Sequence, residues 1–105
     1  MDTKFEVIIT ERAERELREI YDYISKSLME ENTAINMMNK IEEKLLLLEE
    51  IPEGFNIIEN YIKKDFEYRR LPINNYVAIY RVDKSEKKVF IIRIVYGGRN
   101  YLNEM

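Results

Sequence analysis

Three segments in the last third of the chain carry the side chains best suited to chemistry. They are YRRLPIN with Arg69 and Arg70, YVAIYRVD with Arg81, and IIRIVYGGRNY with Arg93, Tyr96, Arg99 and Tyr101. A guanidinium stays charged at neutral pH and offers a planar fork of donors that matches phosphate or carboxylate. A tyrosine titrates at about pH 10, so it serves as a base near neutrality only beside positive charge. The chain has no cysteine and no histidine. Disulfides, thiol chemistry, the commonest metal ligand and the usual neutral-pH acid-base are therefore excluded. Any catalysis rests on Arg, Lys, Tyr or carboxylates, and no small-molecule cofactor or metal is implied.

These cations stand out against an acidic background. The 105 residues carry a net charge of −3, yet residues 68–105 hold 8 Lys/Arg against 3 Asp/Glu while residues 11–67 hold 8 against 15. Two readings follow: the basic part meets an anionic partner, or basic strands pack beside acidic helices inside one fold. The length fits one domain over 1–105, and 46% hydrophobic with 35% charged residues fits a globular protein. No apolar run approaches a membrane span and the N-terminus lacks a signal-peptide layout, so the expectation is a cytoplasmic protein with no membrane partner.

Period-2 alternation of Phe5, Val7 and Ile9 predicts a first strand, with Thr10 as the N-cap of the helix after it. Ala13, Leu17, Ile20, Tyr21, Ile24 and Leu28 give that helix an apolar stripe. A second helix places Ala34, Met38, Ile41, Leu45 and Leu48 at 4-3-4-3 spacing, widened by Ile35, Met37, Leu46 and Leu47, and Pro52 and Gly54 end it. Residues 55–67 read as a loop with a short strand or helical turn. The three segments quoted above then read as strands, joined by turns at Asn74-Asn75 and at Asp83 to Glu86. The expected fold is α+β in the order β-α-α-β-β-β, an antiparallel helical hairpin packed on a mostly antiparallel sheet whose other face is partly open. Strict alternation puts Tyr76, Ala78, Tyr80 and Val82 on one side of their strand and Val77, Ile79 and Arg81 on the other. In the last strand it sets Val89, Ile91, Arg93 and Val95 against Phe90, Ile92, Ile94 and Tyr96. Arg81 and Arg93 read as structural partners of helix carboxylates at least as readily as ligand contacts. Gly97-Gly98 lacks the context of a phosphate loop and reads as a turn.

The texts REIYDYI, YRRLPINNYVAIYRVD and VFIIRIVYGGRNYL, in this order, resemble the RelE/ParE superfamily of type II toxin–antitoxin toxins, also called plasmid-stabilisation proteins. The resemblance runs from residue 5 to residue 102. It implies a growth-arresting toxin held by a cognate antitoxin in a hetero-oligomer. RelE-like members cleave ribosome-bound mRNA and ParE-like members inhibit DNA gyrase without nuclease activity. For metal-independent RNA cleavage, which needs help in deprotonating the 2′-hydroxyl and in stabilising a phosphorane-like anion, the resemblance puts Arg70, Arg99 and Tyr101 in catalytic roles. It puts Arg69, Arg81 and Tyr96 along the RNA. Arg69 and Arg70 are adjacent, so they point to opposite faces of a strand. Val77 stands where well-characterised nuclease members have arginine, and Tyr96 where others have histidine.

Three functions therefore compete: an endoribonuclease acting on ribosome-bound mRNA, which is placed first; a gyrase inhibitor gripping its target with the helical hairpin or the C-terminal arm; and an inactive homologue that only binds antitoxin. The antitoxin is expected to cover the basic sheet face, or the groove between helices and sheet, with a disordered acidic-amphipathic tail that folds on binding.

Overall fold

The computed structural model describes residues 4–63 and 66–98. Strand β1 (Glu6–Ile9) leads into helix α1 (Glu11–Asp22), which widens into a π-helical turn over Tyr23–Ser27. Helix α2 (Glu31–Leu46) follows and tightens into a 3-10 turn at Leu47–Glu49. Four strands complete the chain: β2 (Ile57–Lys63), β3 (Phe66–Ile73), β4 (Tyr76–Asp83) and β5 (Lys88–Tyr96). The sheet order is β1-β5-β4-β3-β2, with β1 parallel to β5 and the other neighbours antiparallel. The two helices pack on this mixed sheet as the α+β pattern requires. The uncertain stretch 55–67 supplies a full strand, β2, and not a loop with a fragment.

Thr10 caps α1 as expected. Its hydroxyl accepts from the Ala13 N–H at 3.3 Å and donates to the Ile91 carbonyl at 2.7 Å, so one side chain starts the helix and ties it to β5. The helix-side core gathers Ile20, Ile24, Ile41, Leu45 and Leu48 against Leu71, Ile73, Tyr80, Val89, Ile91 and Ile94. Alternation in β4 holds: Ala78 and Tyr80 join this core, whereas Val77 and Ile79 join a second cluster with Ile58, Tyr68 and Val95. That second cluster is itself buried, so the face away from the helices is less open than expected.

Strict alternation fails in β5. Tyr80 pairs with Ile91 but Ile79 pairs with Arg93, leaving Ile92 as the extra residue of a bulge. The bulge shifts the phase, so Ile94 faces the helices together with Val89 and Ile91. The helical stripes also narrow. Leu28, Ile35, Leu46 and Leu47 are exposed. For Leu28 the cause is the π turn: its N–H donates to Tyr23 O, five residues back, and the wider turn rotates the stripe off the core.

Turn chemistry is local and readable. Asn74 takes φ 53° between the paired Ile73 and Tyr76. The Asp83 carboxylate accepts from Glu86 N–H at 3.1 Å and Ser85 Oγ at 2.9 Å, and the Glu86 bond foremost holds its pKa below the ordinary value. Pro72 lies past the last β2 partner of β3, so its missing N–H costs no ladder bond there.

Candidate functional site

The adjacent arginines of β3 part company. Arg69 turns to the loop ahead of β2, donating from Nη1 to the Phe55 carbonyl at 2.7 Å and the Glu53 carbonyl at 3.2 Å. Its Nη2 meets the Glu67 carboxylate at 2.8 Å, and the Glu53 carboxylate lies 3.7 Å away while also pairing with Lys84 at 3.0 Å. With its side chain 11% exposed, Arg69 clamps a loop. Beside it the Tyr80 hydroxyl, buried, donates to the Pro52 carbonyl at 2.6 Å. Burial pushes the Tyr80 phenol up to about 12, against the opposing pull of Arg69.

Arg70, the next residue, is exposed. It borders a cleft of about 480 Å³ with Gly54, Phe55, Asn56 and Pro72. Alternation from buried Tyr68 sets Arg70 on the face away from the helices. Arg81 shares this face. It stands opposite Tyr68 on one side and Phe90 on the other, with its guanidinium 4.2 Å from the Phe66 ring centre and 4.4 Å from that of Phe90. Such a sandwich attracts the cation to both ring faces and holds it in place. Arg70 pairs with Ile79, two residues from Arg81; strand spacings put the two positions about 8 Å apart.

Tyr96 lies elsewhere. It is 56% exposed and meets Tyr76 edge to face, ring centres 6.2 Å apart. Both rings line a groove of about 700 Å³ between the sheet and the α1 to α2 turn, on the helix side. On the ladder Tyr96 is three residues and two strands from Arg70, about 14 Å by strand spacing and on the opposite face. Tyr76 titrates above the ordinary tyrosine value, through burial first and then through Tyr23 and Tyr96. Its phenol is neutral at pH 7 and carries no basic character there.

Arg93 is engaged as the sequence suggested. It is 2% exposed, and its guanidinium meets the Glu16 carboxylate of α1 at 2.6 and 2.7 Å. The other Glu16 oxygen accepts from Ile94 N–H at 2.9 Å. One carboxylate thus pairs a buried cation and closes the edge of β5 beyond the point where β1 stops. Arg99 and Tyr101 lie outside the described residues. Gly97 closes β5 onto the Asn74-Asn75 turn: its N–H donates to the Asn75 carbonyl at 2.8 Å, and a Cβ there would sit 3.3 Å from that oxygen.

The structure therefore brings Arg70 and Arg81 together and separates both from Tyr96 and Arg69. Sequence reasoning missed the groove residues Tyr23 and Tyr76. Their signal was present as tyrosines at the helix end and the strand start, but the π turn that exposes Tyr23 had none. Among the described residues no group of three or more His, Cys, Asp or Glu gathers where a metal ion could be held, and no helix is long and apolar enough to cross a membrane.

Comparison with known proteins bears on these arrangements. The family model described as the ParE toxin of the type II toxin–antitoxin system, parDE, matches residues 7–101. No curated protein matches. Among solved structures, the chromosomal ParDE toxin–antitoxin system from P. aeruginosa is similar with a TM-score of 0.72 and 21% identity, covering 89% of this chain and 96% of that one. The archaeal RelE–RelB complex from Pyrococcus horikoshii gives 0.63 and 21%, covering 92% and 99%. The RelBE2 toxin–antitoxin complex from Mycobacterium tuberculosis gives 0.59 and 16%, covering 89% and 91%. At these identities the likeness is one of fold.

Proposed function

This chain belongs to the ParE toxins of type II toxin–antitoxin systems, and from that premise we propose that it arrests growth by binding DNA gyrase, without cutting nucleic acid. The observation that carries the reading is the separation, among the described residues, of Arg70 from Tyr96; Arg99 and Tyr101 lie outside them. A metal-free nuclease needs a base and anion-stabilising cations around one phosphate, whereas here Tyr96 and Arg70 occupy opposite faces. Arg69 is spent on loop carbonyls and Arg81 on two rings. Of the nominated arginines among the described residues, Arg70 is the exposed one; arginine is a side chain type that anchors protein interfaces, and we assign it the contact with the target. The toxin works in the cytoplasm and is neutralised by a cognate antitoxin, as the solved relatives captured in toxin–antitoxin complexes suggest.

Inducing the gene alone is expected to block supercoiling and leave mRNA whole. Purified gyrase should lose supercoiling activity on adding the protein, and Arg70→Ala should relieve the block by at least tenfold in the concentration required. Codon-level mRNA cleavage with gyrase untouched would overturn the proposal. The second reading, mRNA cleavage, draws on one observation: Arg70 and Arg81 share a face about 8 Å apart, a spacing suited to neighbouring phosphates.

A further inference from the structure

A groove of about 700 Å³ stands apart from Arg70 and Arg81. It lies between the π turn and the start of β4 and end of β5, and its lining includes Glu16, Glu19, Tyr23, Leu28, Tyr76 and Tyr96, with no lysine or arginine among the described residues. Large apolar side chains crowd its rim in the open: Tyr23 is 55% exposed, Leu28 50% and Tyr96 56%, and the adjoining Met29 is 86% exposed. A contiguous exposed patch of this kind marks an interaction surface. Its charge is specific as well. Glu16 is occupied by Arg93 and Ile94 N–H, whereas Glu19 is exposed and makes no salt bridge among the described residues. An unpaired carboxylate beside three tyrosine rings is a cation receptor, because the ring faces and the carboxylate attract the same charge.

We infer that this groove is the docking site for a segment of the cognate antitoxin that carries large apolar side chains flanked by lysine or arginine. The inference rests on the antitoxin partnership of the proposed function and names the chemistry of its contact. It reverses the acidic-amphipathic tail expected from the sequence for this groove: a carboxylate brought here would face Glu19 with no cation in the described lining to neutralise it. The tyrosines suit a segment that folds on binding, since they supply large contact area at low entropic cost.

The test uses the intact chain and the product of the adjoining gene, with binding measured by titration calorimetry at two salt concentrations. Glu19 and Tyr23 are exposed, so Glu19→Lys and Tyr23→Ala should fold normally, checked by thermal melting. Each is expected to weaken binding at least tenfold, with Glu19→Lys the more salt-sensitive of the two. The exposed control Lys40→Ala should stay within twofold. Wild-type binding that neither groove variant changes would overturn the docking site while leaving the antitoxin partnership standing. Absence of any binding to the wild type would overturn the partnership itself, and the inference with it. Unchanged antitoxin affinity combined with lost growth arrest would assign the groove to the toxin's target and equally overturn the inference.

Discussion

The two faces of the sheet use the same residue type for opposite ends. Arg69, on the helix-side face, and Arg93, which meets Glu16 of α1 at the edge of β5, are engaged by carbonyls and carboxylates at hydrogen-bond distance. Away from the helices, Arg81 lies between the Phe66 and Phe90 rings and Arg70 reaches solvent. Substituting an engaged arginine should therefore register in stability and substituting the exposed one in function, although Arg69 and Arg70 are neighbours in the chain.

The largest effect should come from Glu16→Ala, which deprives a buried guanidinium of its carboxylate and reopens the β5 edge. The expected loss is about 3–5 kcal/mol, read by urea denaturation. A loss below about 1 kcal/mol would mean that Arg93 is not held as described. Arg69→Ala should cost about 2 kcal/mol by releasing the Glu53 to Phe55 loop, and hydrogen exchange should accelerate in that loop. Tyr80→Phe, which strands the Pro52 carbonyl, should cost about 1–2 kcal/mol. The same residue sets a pH dependence. Its folded pKa is raised to about 12 from about 10 in the unfolded chain. Its contribution is therefore complete below pH 10 and is lost as pH rises from there through the folded value. The wild type should lose more stability than Tyr80→Phe across that window in alkaline melts. The smallest stability effect belongs to Arg70→Ala, within about 0.5 kcal/mol of wild type. A large loss there would erase the distinction between the faces.

Much of the fold was legible because its signals are local. Thr10 capped α1, the Asn74-Asn75 and Asp83 to Glu86 turns closed the hairpins, and the 4-3-4-3 pattern set Ala34, Ile41, Leu45 and Leu48 in the core. What escaped depends on pairing across the structure. The bulge at Ile92 is a mismatch between two strands, each of which reads as regular alone. Strand β2 is defined by its ladder with β3. The π turn exposes Tyr23 and Leu28 without any residue that announces it. The candidate site was legible in the same measure. Adjacency placed Arg69 and Arg70 on opposite sides, and Arg93 was readable as a helix partner. That Arg69 would be consumed by Glu53 and Phe55, fourteen or more positions earlier, and Arg81 by two phenylalanines from neighbouring strands, depends on contacts that composition does not encode.

The most direct test of the central claim is plasmid supercoiling by purified gyrase in the presence of this protein, with the Arg70→Ala variant alongside and ribosome-bound mRNA assayed in the same preparation. The expected result is supercoiling blocked by the wild type, restored with Arg70→Ala, and mRNA intact throughout. Supercoiling that proceeds unhindered while mRNA is cut would contradict it.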